Sequence, residues 1–303
     1  MDPTPAPPSL QSLFAQNARL PVVPKVAQTL IQSLGDHDVA IGVVAAQISA
    51  DPVISAKTLR LANSAYFRAS RSVASIDAAV QMLGFAMVRN LVVGCGMVDA
   101  FQNIPGLDLP RFWRFSLATA SAARWLAQQH EVDADLAFTV GLMHGLGQLV
   151  LHTMIPEEMA RLDAREDPLA QGRARLERER LAYDYGDVSS ELALSWKFPE
   201  EVALELRRVV DPLAHSKQGN AQANGPSPIA SWVHVAAWRA RVDVLAWNDE
   251  QIERTCPLAL GHALKRPFHW RKEEATLAGE APGTMGLMPP LARLTEGLEL
   301  MLG

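Results

Sequence analysis

The sequence is poor in cysteine. Of its 303 residues, only Cys95 and Cys256 are cysteines, and they form no Cys-x-x-Cys pair. Nothing motivates a disulfide, and both read as free, mostly buried thiols of a reducing compartment. Nucleotide and acyl-transfer signatures are also missing: there is no P-loop, no Gly-x-Gly-x-x-Gly and no Gly-x-Ser-x-Gly. The eight histidines make no His-x-x-x-His or His-Glu-x-x-His pair. His144 and His152 are eight apart with no carboxylate between them, so spacing alone offers no divalent-metal ligand set. A basic excess is absent as well. The formal net charge is −5, which argues against nucleic acid as the main partner. Long apolar runs are lacking: the stretch around Leu91–Met97 is short, so no segment is expected to span a bilayer. Residues 1–18 begin with a Pro-rich stretch that reads as an extended leader rather than a signal peptide. A cytoplasmic protein is expected.

What is present is helical periodicity. Between Ser75 and Gly84, apolar residues recur at Ile76, Ala79, Val80 and Leu83, with Ser75 as N-cap. Gly84 then interrupts or redirects the chain before Phe85–Ala100. A helix is predicted from Leu109, with Pro110 in its first turn and Phe112, Phe115, Thr119, Ala122 and Leu126 along one stripe. Asp133–Leu151 is a further pair of helical segments containing Gly141, Gly145 and Gly147. Glycine costs a helix about 1 kcal/mol relative to alanine, so close approach of a neighbour or a deliberate break is expected there. In Arg173–Arg180, arginines alternate with Glu177 and Glu179, which reads as a solvated helix face. Residues 216–228, rich in Ser, Gly, Asn and Gln, read as a linker. Beyond it lie a Trp- and Ala-rich helix over Ile229–Val244, a loop-like stretch over Ala275–Pro290 and a terminal helix over Leu291–Leu302. Trp232, Trp238, Trp247 and Trp270 read as core, with a contact surface as the alternative.

Several ordered motifs go beyond periodicity. Leu20-Pro21-Val22-Val23-Pro24 opens the series. Ile48-Ser49-Ala50-Asp51-Pro52 follows, with Asp51 and Pro52 suited to an N-cap and a first helical position. Next come Lys57–Phe67, containing Leu61-Ala62-Asn63-Ser64, and Ser75–Gly84, ending in Leu83-Gly84. Asn63-Ser64 suits a helix end, where Asn tolerates left-handed geometry, or a bond to another helix. Phe112-Trp113-Arg114, Gly141-Leu142-Met143-His144 and Trp196-Lys197-Phe198-Pro199 complete the order. Together these motifs resemble the HDOD domain, from about Leu20 to Pro212. The resemblance implies an all-α, HD-like bundle in two helical subdomains. The expected division is 19–105 and 106–215 within an HDOD domain of 19–215, followed by the linker and by C-terminal helices over 229–303 that pack on it. The motif residues Asp51, Pro52, Asn63, Ser64, Leu83, Gly84, Trp196 and Pro199 are expected to be structural.

HDOD domains are similar to HD-type metal phosphohydrolases but are regarded as signalling output modules. Carried over from that resemblance, the first ligand position falls on Phe115 and the His-Asp pair on His144-Gly145. The next histidine position falls on Tyr185, and the paired histidines on Val209-Val210, ahead of Asp211-Pro212. Only His144 retains a ligand type. Phe and Val offer no lone pair, Gly145 has no side chain, and a phenol near pKa 10 binds such metals poorly. The resemblance therefore implies a non-enzymatic regulatory module with a vestigial metal site. It would have no metal or cofactor, no membrane association, and a protein partner in a signalling pathway. One alternative is a divergent metal-dependent phosphohydrolase, acting on nucleotides or cyclic dinucleotides and using His144 with His152, His215 or an acidic residue. Another is a small-ligand sensor with His144 and Tyr185 as the polar handles of its pocket.

Overall fold

The computed structural model describes residues 7–15, 20–32, 41–63, 72–214, 225–264 and 288–302. These residues are helical with short connections, and no strand occurs among them. The N-terminal part contains α1 (Leu10–Ala15), α2 (Lys25–Gln32), α3 (Ile41–Ser49), α4 (Pro52–Ala62), α5 (Ile76–Leu83) and α6 (Phe85–Ala100). The second part runs through α7 (Leu109–Gln129), α8 (Ala134–Met143), α9 (Leu146–Met154), α10 (Pro156–Asp163), α11 (Arg173–Leu181), α12 (Tyr185–Ser195) and α13 (Glu200–Val209). Then come α14 (Pro228–Val244), α15 (Asp249–Thr255), α16 (Leu258–Ala263), α17 (Leu291–Thr295) and a 3-10 turn over Leu298–Leu302. The motif residue Ser64, His215 and most of the expected linker lie outside the described residues.

Local chemistry sets several boundaries. Asp51 accepts from the Val53 and Ile54 amides at 3.0 and 3.1 Å, and Pro52 fills the first turn of α4. Asp108 caps α7 in the same way through the Arg111 amide. Gly84, at φ +80°, separates α5 from α6, whose axes bend by 112°. Asn63 ends α4 with φ −93°, so the left-handed geometry expected of it is not used. Its side chain instead exchanges two hydrogen bonds with the Val73 backbone, at 2.8 and 2.7 Å. The predicted terminal helix is broken, because Gly297 at φ +78° parts α17 from the 3-10 turn.

α7 is the central element. It is buried along nearly its whole length and lies between α8 and α14. α12 packs on α9 and α13, while α6 packs on α2, α5 and α8. Two of the glycines flagged by the sequence serve close approach. A Cβ on Gly141 would stand 2.8 Å from the Ala120 backbone, and one on Gly147 would stand 2.0 Å from the Tyr185 carbonyl. Trp232 and Trp238 are core; Trp247 is half-buried, and Trp270 lies outside the described residues.

Two expectations are corrected. Ala134–Met154 is long and apolar enough to cross a membrane, although no segment was expected to be; the window is 83% buried inside the bundle, as a core helix is. The charge-rich α11 is not a solvated face throughout, since Arg173 and Glu177 are both fully buried. They are able to be buried because they neutralise one another, with Arg173 Nε donating to Glu177 Oε1 at 2.8 Å.

Candidate functional site

The break between α8 and α9 carries His144 and Gly145. α7 supplies Phe115, the start of α12 supplies Tyr185, and the end of α13 supplies Val209 and Val210. The fold brings these positions together. His144, Tyr185, Val209 and Val210 line one small cavity with Gln171 and, from α14, His234, Ala237 and Arg241. Phe115 packs edge-on against His144, with ring centroids 5.2 Å apart. A Cβ on Gly145 would meet the Phe112 ring at 3.2 Å. The cavity holds about 10 Å³, near the minimum for a single water. A partly open groove of about 600 Å³ adjoins it and shares Gln171, Val210 and His234.

The polar groups of this centre are fixed from outside it. His144 Nδ1 lies 2.6 Å from the Gly141 carbonyl, an acceptor only, so Nδ1 carries the proton and Nε2 presents a lone pair. That Nε2 is buried with no hydrogen-bond partner. Burial, reinforced by Arg241 and His234, pushes the His144 pKa down to about 3, and the imidazole is neutral. The His144 carbonyl accepts from Ser189 Oγ at 3.1 Å, which ties the α8–α9 break to α12. His234 donates through Nδ1 to the Val209 carbonyl at 2.7 Å, and burial lowers its pKa as well. Burial raises the pKa of the Tyr185 phenol.

Arg241 is the residue that sequence reasoning missed. It is 5% exposed, its guanidinium carbon lies 5.2 Å from the Phe115 ring centroid, and its Nε donates to the Leu169 carbonyl at 2.7 Å. Its charge acts on Tyr185, His144 and His234 alike. Among the described residues it forms no ion pair. A signal was available: His234 and Arg241, seven apart, share a face of a helix that is otherwise mostly Trp, Ala and Val.

These residues do not suit a divalent metal. Among the described residues, no group of three His, Cys, Asp or Glu side chains is placed to hold one. His152 does not join His144. It is held in a separate network by Asp163 at 3.0 Å and the Gln148 carbonyl at 2.7 Å.

The HDOD domain family model matches residues 20–212, well over half of the chain. The chain belongs to the HDOD family. A solved structure from Shewanella amazonensis SB2B, a presumed phosphohydrolase, is 27% identical with TM-score 0.67, and the match covers 96% of each chain. An HDOD domain protein with unknown function from Geobacter sulfurreducens is 21% identical with TM-score 0.70, covering 96% of this chain and 95% of that one. An uncharacterized protein of Treponema pallidum is 24% identical over 190 residues. That match takes in 62% of this chain and only 37% of the relative's length. The Asp51 cap and the bend at Gly84 thus belong to an HDOD fold.

Proposed function

We propose that this HDOD protein is a regulatory module of signal transduction without hydrolytic activity, working through a protein partner. The observation that carries the reading is the Arg241 guanidinium. It stands among Phe115, His144, Tyr185 and His234, where the ligands of an HD-type centre would converge. A fixed positive charge there opposes a dication, and the side chains around it offer too few donors to outweigh that repulsion. Phe115, Gly145, Val209 and Val210 add packing and no lone pair. The cavity admits about one water, which disfavours a sensor that takes its ligand inside it.

Elemental analysis of the purified chain, with turnover assays on nucleotides and cyclic dinucleotides in added manganese, tests the reading. Metal well below one equivalent and no turnover are expected. Stoichiometric iron, manganese or zinc that disappears in His144→Ala would overturn it.

A further inference from the structure

Arg241 is a buried cation with unused donors. Its Nε bonds the Leu169 carbonyl, but neither Nη group makes a hydrogen bond among the described residues. Neither Nη is sealed from a molecule the size of water, whereas His144 Nε2 is. A buried charge is ordinarily paired, and a buried donor is ordinarily satisfied. The nearby acids are engaged elsewhere: Glu177 pairs with Arg173, and Asp184 with Arg178. Arg241 shares its small cavity with Tyr185, whose phenol burial keeps protonated and able to donate. That cavity is not closed. Gln171, Val210 and His234 line both it and the groove of about 600 Å³, so the groove is its way out. His234 is committed through Nδ1 to the Val209 carbonyl and borders the passage without supplying a donor. The groove walls include the apolar Ala174, Leu213 and Leu260. Arg175 and Arg178 also line the groove, and both are largely exposed; so does the exposed Asp211.

We propose that Arg241 is the floor of a carboxylate-binding site entered from the groove. One oxygen of the carboxylate occupies the cavity and accepts from the Arg241 Nη–H groups and the Tyr185 O–H, in charge-assisted bonds. The volume of the cavity, about that of one water, limits what enters to a single oxygen. The rest of the ligand lies in the groove against Ala174, Leu213 and Leu260, where there is room for a short aliphatic chain or a few side chains. Those apolar walls disfavour a bare inorganic anion. The carboxylate comes either from a free small acid or from an acidic side chain of a protein. The proposal shares Arg241 with the regulatory reading and would give that module its input. It does not depend on absent catalysis: metal and turnover decide that reading, and anion binding decides this one.

Calorimetric titration of the full chain in chloride-free buffer tests it. The probes are hexanoate, a capped Leu-Glu-Leu tripeptide, hexanamide, chloride and inorganic phosphate. Saturable binding of at least one carboxylate is expected, and the tighter of the two identifies the source. Hexanamide lacks the charge, and chloride and phosphate lack the apolar body, so each should be weaker by about tenfold or more. Arg241→Met should weaken carboxylate binding by about tenfold or more. Tyr185→Phe should weaken it several-fold, and it carries the test if Arg241→Met does not fold. The proposal is overturned if neither carboxylate saturates or if hexanamide, chloride or phosphate binds as tightly. It is equally overturned if a folded Arg241→Met or Tyr185→Phe leaves the affinity unchanged.

Discussion

Arg173 and Arg241 are both buried, and they meet burial by different means. Arg173, on α11, is surrounded by carboxylates: Glu177 at 2.8 Å and Asp163 at 2.7 Å, with the Glu166 carbonyl at 2.9 Å. Glu177 in turn accepts from the Gln148 amide at 2.6 Å and from the Tyr185 backbone at 2.8 Å, so the network holds the start of α12. Arg241, on α14, has a carbonyl and an aromatic face, both neutral. A balanced network of the first kind is a structural clamp. An unbalanced cation of the second kind is tolerable where its neighbours are polarisable and offer lone pairs.

The comparison breaks most sharply under truncation. Arg173→Met leaves Glu177 buried and uncompensated, and it should cost about 3–5 kcal/mol in a denaturant titration. Adding Glu177→Leu should recover a large part of that loss; a double variant as unstable as the single one would contradict the clamp.

The next effect is pH-dependent. His144 has its folded pKa lowered from 6.5 to about 3, so between those values the unfolded chain binds the extra proton. Stability from this group is therefore present above pH 6.5 and lost as pH falls toward 3, at up to about 1.4 kcal/mol per pH unit. Glu177 works oppositely. Burial raises its carboxyl from 4.5 to about 7, and its contribution fades as pH rises through that window. The difference between wild type and His144→Gln isolates the histidine, and equal slopes for the two proteins would refute the assignment.

Gly147→Ala should destabilise by about 1–3 kcal/mol, because its Cβ collides with the Tyr185 carbonyl and pushes α9 from α12. The smallest change is expected of Arg241→Met, about 1–2 kcal/mol or less, since no carboxylate is stranded by it. A loss as large as that of Arg173→Met would erase the distinction between the two arginines.

The elements that sequence reasoning located well are those fixed by neighbours in the chain. Asp51 and Pro52 start α4, Leu109-Pro110 opens α7, and Gly84 turns α5 into α6, each through a cap or a φ value that acts over a few residues. Arg173 and Glu177 were misread because an i, i+4 ion pair has the same pattern whether it faces water or Asp163 and Gln148. Arg241 went unread because its partners, Phe115 and Leu169, lie far from it in the chain. The packing of α14 on α7 brings Phe115 to it.

The N-terminal segment is fastened from a distance. Trp196 Nε1 donates to the Pro21 carbonyl at 2.9 Å, and Tyr183 OH donates to the Pro8 carbonyl at 3.0 Å; each bond joins residues 175 apart. During synthesis, the first helices therefore leave the ribosome long before the side chains that hold them exist. Residues that end up in the core, such as Leu13 and Val23, must wait through most of translation. Closing so long a loop makes this docking a late event in folding, and it makes the nascent N-terminal half the stretch most in need of a chaperone.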